Sequence, residues 1–122
     1  MSHKTLCGAV QSKFWGQTQC IFEGPSSEMH FAQAEKGGYC SEHKHNNKWN
    51  RFFVVSGELK VTIFKEHGQD ETIISDGQYT DVPPGEYHMF ECLEDCDFIE
   101  VYWTNPLDAG DIDRRSSGGK NH

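Results

Sequence analysis

Turn-forming residues interrupt this chain so often that no long regular element can form between them. Gly24-Pro25, Gly37-Gly38, Ser56-Gly57, Gly68-Gln69-Asp70, Asp76-Gly77 and Pro83-Pro84-Gly85 divide it into short runs. The runs are rich in β-branched and aromatic side chains, and none holds a helical period over three turns. Strands are expected at approximately 14–22, 28–35, 39–45, 50–56, 58–66, 70–75, 79–82, 86–92 and 97–103. Many short strands at near-regular spacing read as an all-β sandwich or barrel. The 122 residues fit one domain. Residues 1–13 read as an N-terminal segment available for a dimer contact, 14–104 as the barrel, and 105–122 as a C-terminal extension. The polar stretch from Arg115 to His122 is expected to be loosely held.

The formal net charge of −8 argues against DNA or RNA as a partner, because phosphate binding rests on clustered Lys and Arg. No apolar run approaches the ~20 residues of a membrane helix, and the stretch from Met1 to Leu6 holds no apolar run of signal-peptide length. A cytoplasmic location and a small-molecule partner are expected. The five cysteines, Cys7, Cys20, Cys40, Cys92 and Cys96, are an odd number without a Cys-x-x-Cys pair. Reduced thiols are the expectation, and a zinc knuckle has no support.

Chemistry concentrates in three histidines. Side chains alternate across a strand, so His43 and His45 point to one face and Lys44 to the other. Two imidazoles spaced this way can share one metal ion. A third, His88, opens a later strand after Pro83-Pro84-Gly85, with Phe90 and Cys92 on its face. Three neutral imidazoles suit Zn, Fe, Ni or Cu, whereas Mg and Ca prefer all-oxygen sites.

These residues fall into two motifs that resemble those of the cupin superfamily. In the first, a glycine precedes His-x-His, and a glutamate and a second glycine follow; Gly37, His43, His45 and Gly57 match it, with Asn50 where the family has Glu. In the second, Gly77, Pro83, Gly85 and His88 match, with Cys92 where the family has Asn. The resemblance implies a double-stranded β-helix of jelly-roll topology with a metal inside. The wider pattern resembles the cupin domain of type II mannose-6-phosphate isomerases. It includes Trp15-Gly16, Val54 to Val61, Pro83 to His88, Ile99-Glu100-Val101 and Asp111 to Arg114. That group resembles Gln-x-His-His-His-Arg-x-Glu, where this chain reads His43-Lys44-His45-Asn46-Asn47-Lys48-Trp49-Asn50.

The resemblance implies a divalent transition metal (Zn, Fe, Ni or Mn) on His43, His45 and His88. Asn50 becomes a fourth ligand or the partner of a bound water. With no carboxylate, the ion keeps its full charge, which favours an anionic ligand and weakens metal affinity. Glu42, Glu86 or Glu100 could supply a carboxylate instead, although Glu42 should face away from His43. Lys48 could hold a phosphate or carboxylate; Arg51 should face outward if Asn50 faces inward. His30 shares a face with Ala32 and Ala34, which would leave pocket space beside an acid–base imidazole. Glu100 and Tyr102 share one face of the last strand with Phe98, and Ile99, Val101 and Trp103 the other. If Glu100 points inward it is a buried carboxylate with a raised pKa; alternation alone does not choose. His67 reads as a surface turn, and Asp111–Arg114 as a closing ion pair.

The leading expectation is a metal-binding cupin acting on or binding a small, anionic, carbohydrate-type ligand. If it is an enzyme, it is isomerase-like or epimerase-like on a sugar or sugar phosphate. A three-histidine non-haem iron dioxygenase and a non-catalytic binding module are the alternatives. A homodimer is expected, with Phe14-Trp15 and Ile21-Phe22 either at its interface or capping their own barrel.

Overall fold

Alternation decides what each strand buries. Along Trp49–Ser56, Asn50, Phe52 and Val54 are buried while Trp49, Arg51 and Phe53 lie toward the other face. Along Cys96–Trp103, Cys96, Phe98 and Glu100 are buried between less buried neighbours. The computed structural model describes residues 8–104, 111, 115 and 118–120. Nine strands lie among them: β1 Val10–Lys13, β2 Gly16–Glu23, β3 Ser27–Ala34, β4 Trp49–Ser56, β5 Glu58–Lys65, β6 Gly68–Ser75, β7 Tyr79–Val82, β8 His88–Cys92 and β9 Cys96–Trp103. None of the described residues is helical, and no helix is long and apolar enough to cross a membrane.

The strands form a six-stranded antiparallel sheet, β1-β2-β3-β9-β4-β7, and a three-stranded one, β6-β5-β8. Their inner faces close on a core of Phe52, Val54, Leu59, Val61, Phe90 and Phe98. The Phe90 and Phe98 rings meet edge-on with centroids 5.0 Å apart, and Trp15 meets Phe90 likewise at 5.0 Å. Each such side chain contributes about 1.5–3 kcal/mol by leaving water. This is an all-β barrel, as the strand spacing led one to expect, with the jelly-roll topology that the motif resemblance implied.

Three differences from the expected strands have local causes. The stretch expected as one strand from Phe14 begins after a turn instead: β1 precedes it, and Gly16 presses so closely on β3 that a Cβ there would overlap the Gln33 carbonyl oxygen. Residues 39–45 form no continuous strand. They run beside β8 through two isolated bridges, Tyr39 with Glu91 and His43 with His88. Backbone bonds at Gly37, Gly38, Cys40, His43 and His45 tie this segment to the 85–92 stretch. Strand β8 starts at His88 rather than Glu86, after the Pro-Pro-Gly turn.

Cys20, Cys40, Cys92 and Cys96 are buried thiols. His67 is exposed in the β5–β6 turn. Cys7, His3, His122, the N-terminal segment before Gly8, and Arg114 with its expected ion pair lie outside the described residues.

Candidate metal centre

The 37–45 segment and β8 bring three imidazoles together. The backbones of His43 and His88 exchange both hydrogen bonds, at 3.0 and 2.8 Å, and Gly85 N–H donates to the His45 carbonyl at 2.7 Å. Ring centroids are 4.5 Å apart for His43–His88, 5.1 Å for His43–His45 and 5.5 Å for His45–His88. One nitrogen from each ring lies within 4.8 Å of the others, so the set could hold a metal ion.

Hydrogen bonds fix which nitrogen faces inward. His43 Nδ1 lies 2.7 Å from the Ser41 carbonyl and His88 Nδ1 2.9 Å from the Glu86 carbonyl. A carbonyl only accepts, so each Nδ1 carries the proton and each Nε2 keeps its lone pair. The Nε2 atoms of His45 and His88 are buried without a hydrogen-bond partner. A buried polar atom left unpaired costs about 1–3 kcal/mol, a cost that a coordinated cation removes. Burial, then the nearby Lys48, His43 and His88, push the His45 pKa down to about 4, and burial also lowers that of His88. Both rings are therefore neutral at pH 7, the form that ligates metal. The donor set fits a divalent transition ion.

A cavity of about 1150 Å³ opens beside these rings. His43, His45, His30, Lys48, Phe90, Glu100 and Tyr102 line it, and Glu28, Cys40 and Trp15 join them. The inward face of β9 is thus the Phe98–Glu100–Tyr102 face. The Tyr102 hydroxyl donates a short hydrogen bond to Glu100. Burial raises the Glu100 pKa, against the lowering effects of Tyr102, His30, His43 and Asn50. Burial and the adjacent Glu100 hold the Tyr102 phenol well above its ordinary value. The Tyr102 ring contacts His45 edge-on at 5.2 Å and His30 at 5.6 Å, and the Lys48 ammonium lies 4.6 Å from its centroid. His30 Nε2 is 3.0 Å from a Glu28 carboxylate oxygen.

Other sequence candidates fall elsewhere. Asn50 is fully buried, hydrogen-bonds to Glu100 and leaves its Oδ1 unpaired. It sits opposite Tyr102 in the β4–β9 register and is not among the cavity-lining residues. Cys92 lies in the core, hydrogen-bonded to Cys96, and does not line the cavity. Arg51 faces outward, bonded to Asp81 at 2.7 and 2.9 Å. Glu42 is exposed and Glu86 pairs with Lys65 at 3.0 Å. Sequence reasoning missed Glu28 and Cys40 as cavity residues. Alternation would have placed Glu28 on the His30 face; nothing local marks Cys40. Trp15 caps its own barrel, whereas Phe14 is fully exposed.

Comparison with known proteins agrees with this geometry. No curated protein matches the chain in sequence. Among solved structures, KdgF from Halomonas sp. is similar at 19% identity and a TM-score of 0.69, covering 80% of this chain and 89% of its own. The capsular polysaccharide assembling protein CapF from Staphylococcus aureus is similar at 21% identity and a TM-score of 0.68, covering 84% of this chain and 32% of that one. Bacillus subtilis oxalate decarboxylase, which has Mn(II) centres, is similar at 16% identity and a TM-score of 0.70, covering 87% of this chain and 32% of that one. The cupin domain family Cupin_2 matches residues 30–102, the stretch that carries the three histidines, much of the cavity wall and most of both sheets, and the chain belongs to that family.

Proposed function

We propose that the chain holds a divalent transition metal on His43, His45 and His88. In the adjoining cavity it would bind a small anionic ligand of the carbohydrate type, on which it acts as an isomerase or epimerase. The observation that carries this reading is the pair of buried, unpartnered Nε2 atoms of His45 and His88 beside the cavity. The bound ion would polarise a carbonyl or hydroxyl oxygen of the ligand. Lys48 stands on the cavity wall to hold a phosphate or carboxylate. Glu100, with its pKa raised by burial, would take a proton next to a carbonyl and return it, and Tyr102 orients it. His30, held by Glu28, offers a second proton carrier. The resemblance to type II mannose-6-phosphate isomerase motifs supports the sugar-phosphate class. CapF, which assembles capsular polysaccharide, and the Mn(II)-bearing oxalate decarboxylase share the fold.

Metal analysis of purified protein tests the centre. Wild type supplemented with Zn, Fe, Ni or Mn should carry one ion per chain and His88→Ala none. Wild type free of stoichiometric metal after all four would overturn the reading. Aldose phosphates without metal-dependent turnover would remove the isomerase part. The all-imidazole set, joined by no described carboxylate, favours one further reading, a non-haem iron dioxygenase. Oxygen uptake with Fe(II) and none with Zn(II) would select it.

A further inference from the structure

The turn Leu93-Glu94-Asp95 carries the chain from β8 in one sheet to β9 in the other, and a cysteine stands at each end of it. The backbone around it is tied down. Gly37 N–H donates to the Cys92 carbonyl and Cys92 N–H to the Gly38 carbonyl, each at 2.8 Å. Leu93 N–H donates to the Glu58 carbonyl at 2.9 Å, and the Asp95 carboxylate accepts from Lys36 N–H at 2.9 Å. Alternation along β8 and β9 turns Cys92 and Cys96 into the core, where they are 1% and 2% exposed. There the Cys92 S–H donates a hydrogen bond to the Cys96 sulfur. Cys40 and Cys20 bond to backbone instead: Cys40 Sγ accepts from Phe90 N–H at 3.2 Å, and Cys20 Sγ donates to the Phe22 carbonyl at 3.5 Å.

One thiol of the pair has a route to solvent. Cys96 lines a surface hollow of about 710 Å³ between the β1–β2 and β8–β9 turns, whereas Cys92 does not reach it. Glu35, Asp95 and Asp97 line the same hollow against the single ammonium of Lys13. Such a rim repels anions and leaves the way open to a small neutral molecule. None of His43, His45 and His88 lines it, so what happens there does not depend on the metal centre.

We propose that Cys92 and Cys96 are a peroxide-reactive pair, which hydrogen peroxide entering the hollow converts into a reversible disulfide across the β8–β9 turn. The Cys96 thiolate attacks one peroxide oxygen and the O–O bond breaks. Cys96 becomes a sulfenic acid, and the hydroxide that leaves takes up a proton to become water. The Cys92 sulfur then displaces the hydroxyl group of that sulfenic acid. The S–S bond forms, and the Cys92 proton leaves with the hydroxyl as a second water. Two thiols lose two electrons, and one peroxide becomes two waters. The hydrogen bond from Cys92 lowers the Cys96 pKa against the opposing effects of burial, Asp97 and Asp76, so Cys96 is the attacking thiol. The same bond, with burial, keeps the proton on Cys92 until the second step. Burial pushes the Cys40 thiol up to about 12, which leaves it unreactive.

Thiol counting and intact mass on the reduced full chain at pH 7, with hydrogen peroxide in slight molar excess, test the proposal. Two of the five thiols should disappear, and the mass should fall by two hydrogens with no oxygen added. Cleavage after Glu94 should then yield two peptides joined through Cys92 and Cys96, and dithiothreitol should separate them. The result should be the same with and without a chelator. Cys92→Ser should stop at the sulfenic acid, which dimedone traps on Cys96. Cys96→Ser should leave Cys92 reduced. Oxidised glutathione, bulky and anionic, should form the bond far more slowly than peroxide. Five surviving thiols in wild type overturn the proposal, as does a disulfide or added oxygen located first on Cys7, Cys20 or Cys40. These readings on wild type stand even if a substitution disturbs folding. A bond that oxidised glutathione forms as fast as peroxide does would also overturn it, since the hollow would then not select a small neutral oxidant.

Discussion

Glu100 carries a conflict between stability and function that a single substitution can expose. Burial holds its pKa above the ordinary carboxylate value despite hydrogen bonds from Tyr102 and Asn50. A carboxyl whose folded pKa exceeds its unfolded pKa, about 4.3 for Glu, favours folding below the unfolded value. That contribution is lost as pH rises through the folded value. Metal-free Glu100→Gln should therefore melt several degrees above wild type at pH 7–8, because glutamine keeps the acceptor oxygen for Tyr102 and removes the desolvated charge. The difference should close as pH falls below about 4, where Glu100 becomes protonated in both folded and unfolded chains. Thermal unfolding with chelator at several pH values measures it; equal melting at every pH would mean that the carboxylate is not desolvated. The three histidines were legible because two sequence motifs space them. The direction of Glu100 was not, because both faces of β9 are apolar: Phe98 and Tyr102 compete with Ile99, Val101 and Trp103 for the interior. Only the second sheet, packed against one side, settles it.

At the level of elements, backbone chemistry explains what could and could not be read in advance. The breaks at Ser56-Gly57 and Asp76-Gly77 were legible because glycine marks places where the chain must turn. The failure at 39–45 has a different cause. That segment looks like a strand by composition, yet it contacts β8 only at intervals and borders the open cavity. Its shape serves the histidines rather than a ladder. The two glycines should also differ in their tolerance. Gly57, at the corner from β4 to β5, has φ of +107°, and a Cβ there would overlap the Asp95 carbonyl oxygen. Gly77 has φ of +79°, but a Cβ there would meet no atom within 4 Å. Gly77→Ala should cost about 1–2 kcal/mol from backbone conformation alone, whereas Gly57→Ala should cost several kcal/mol or prevent folding. Urea unfolding of the two variants compares them. Equal losses would show that close packing at the Gly57 corner is relieved by movement of the β8–β9 turn.

Across the whole molecule, metal binding and folding should be one equilibrium. His43 and His45 come from the segment tied beside β8, and His88 from β8 itself, so the three-nitrogen site forms only when the backbone pairing of these two stretches is in place. An unfolded chain retains at most the adjacent His43–His45 pair. An ion that binds the native state and scarcely the unfolded one stabilises by RT ln(1 + [M]/Kd), about 1.4 kcal/mol for each tenfold rise in free ion once the site is saturated. The melting temperature of wild type should therefore climb steadily with the logarithm of free Zn, Ni, Mn or anaerobic Fe(II) concentration, most steeply for the ion that binds best. His88→Ala should lose that slope, because the remaining pair exists in the unfolded chain as well and gives no preference for the native state. His67→Ala should keep it, since His67 is exposed in the β5–β6 turn, away from the three rings. A slope in wild type that His88→Ala preserves would place the ion elsewhere on the surface. A flat response to all four metals would leave the two buried Nε2 atoms unpaired in the functional state, and the centre proposed for this chain would be wrong.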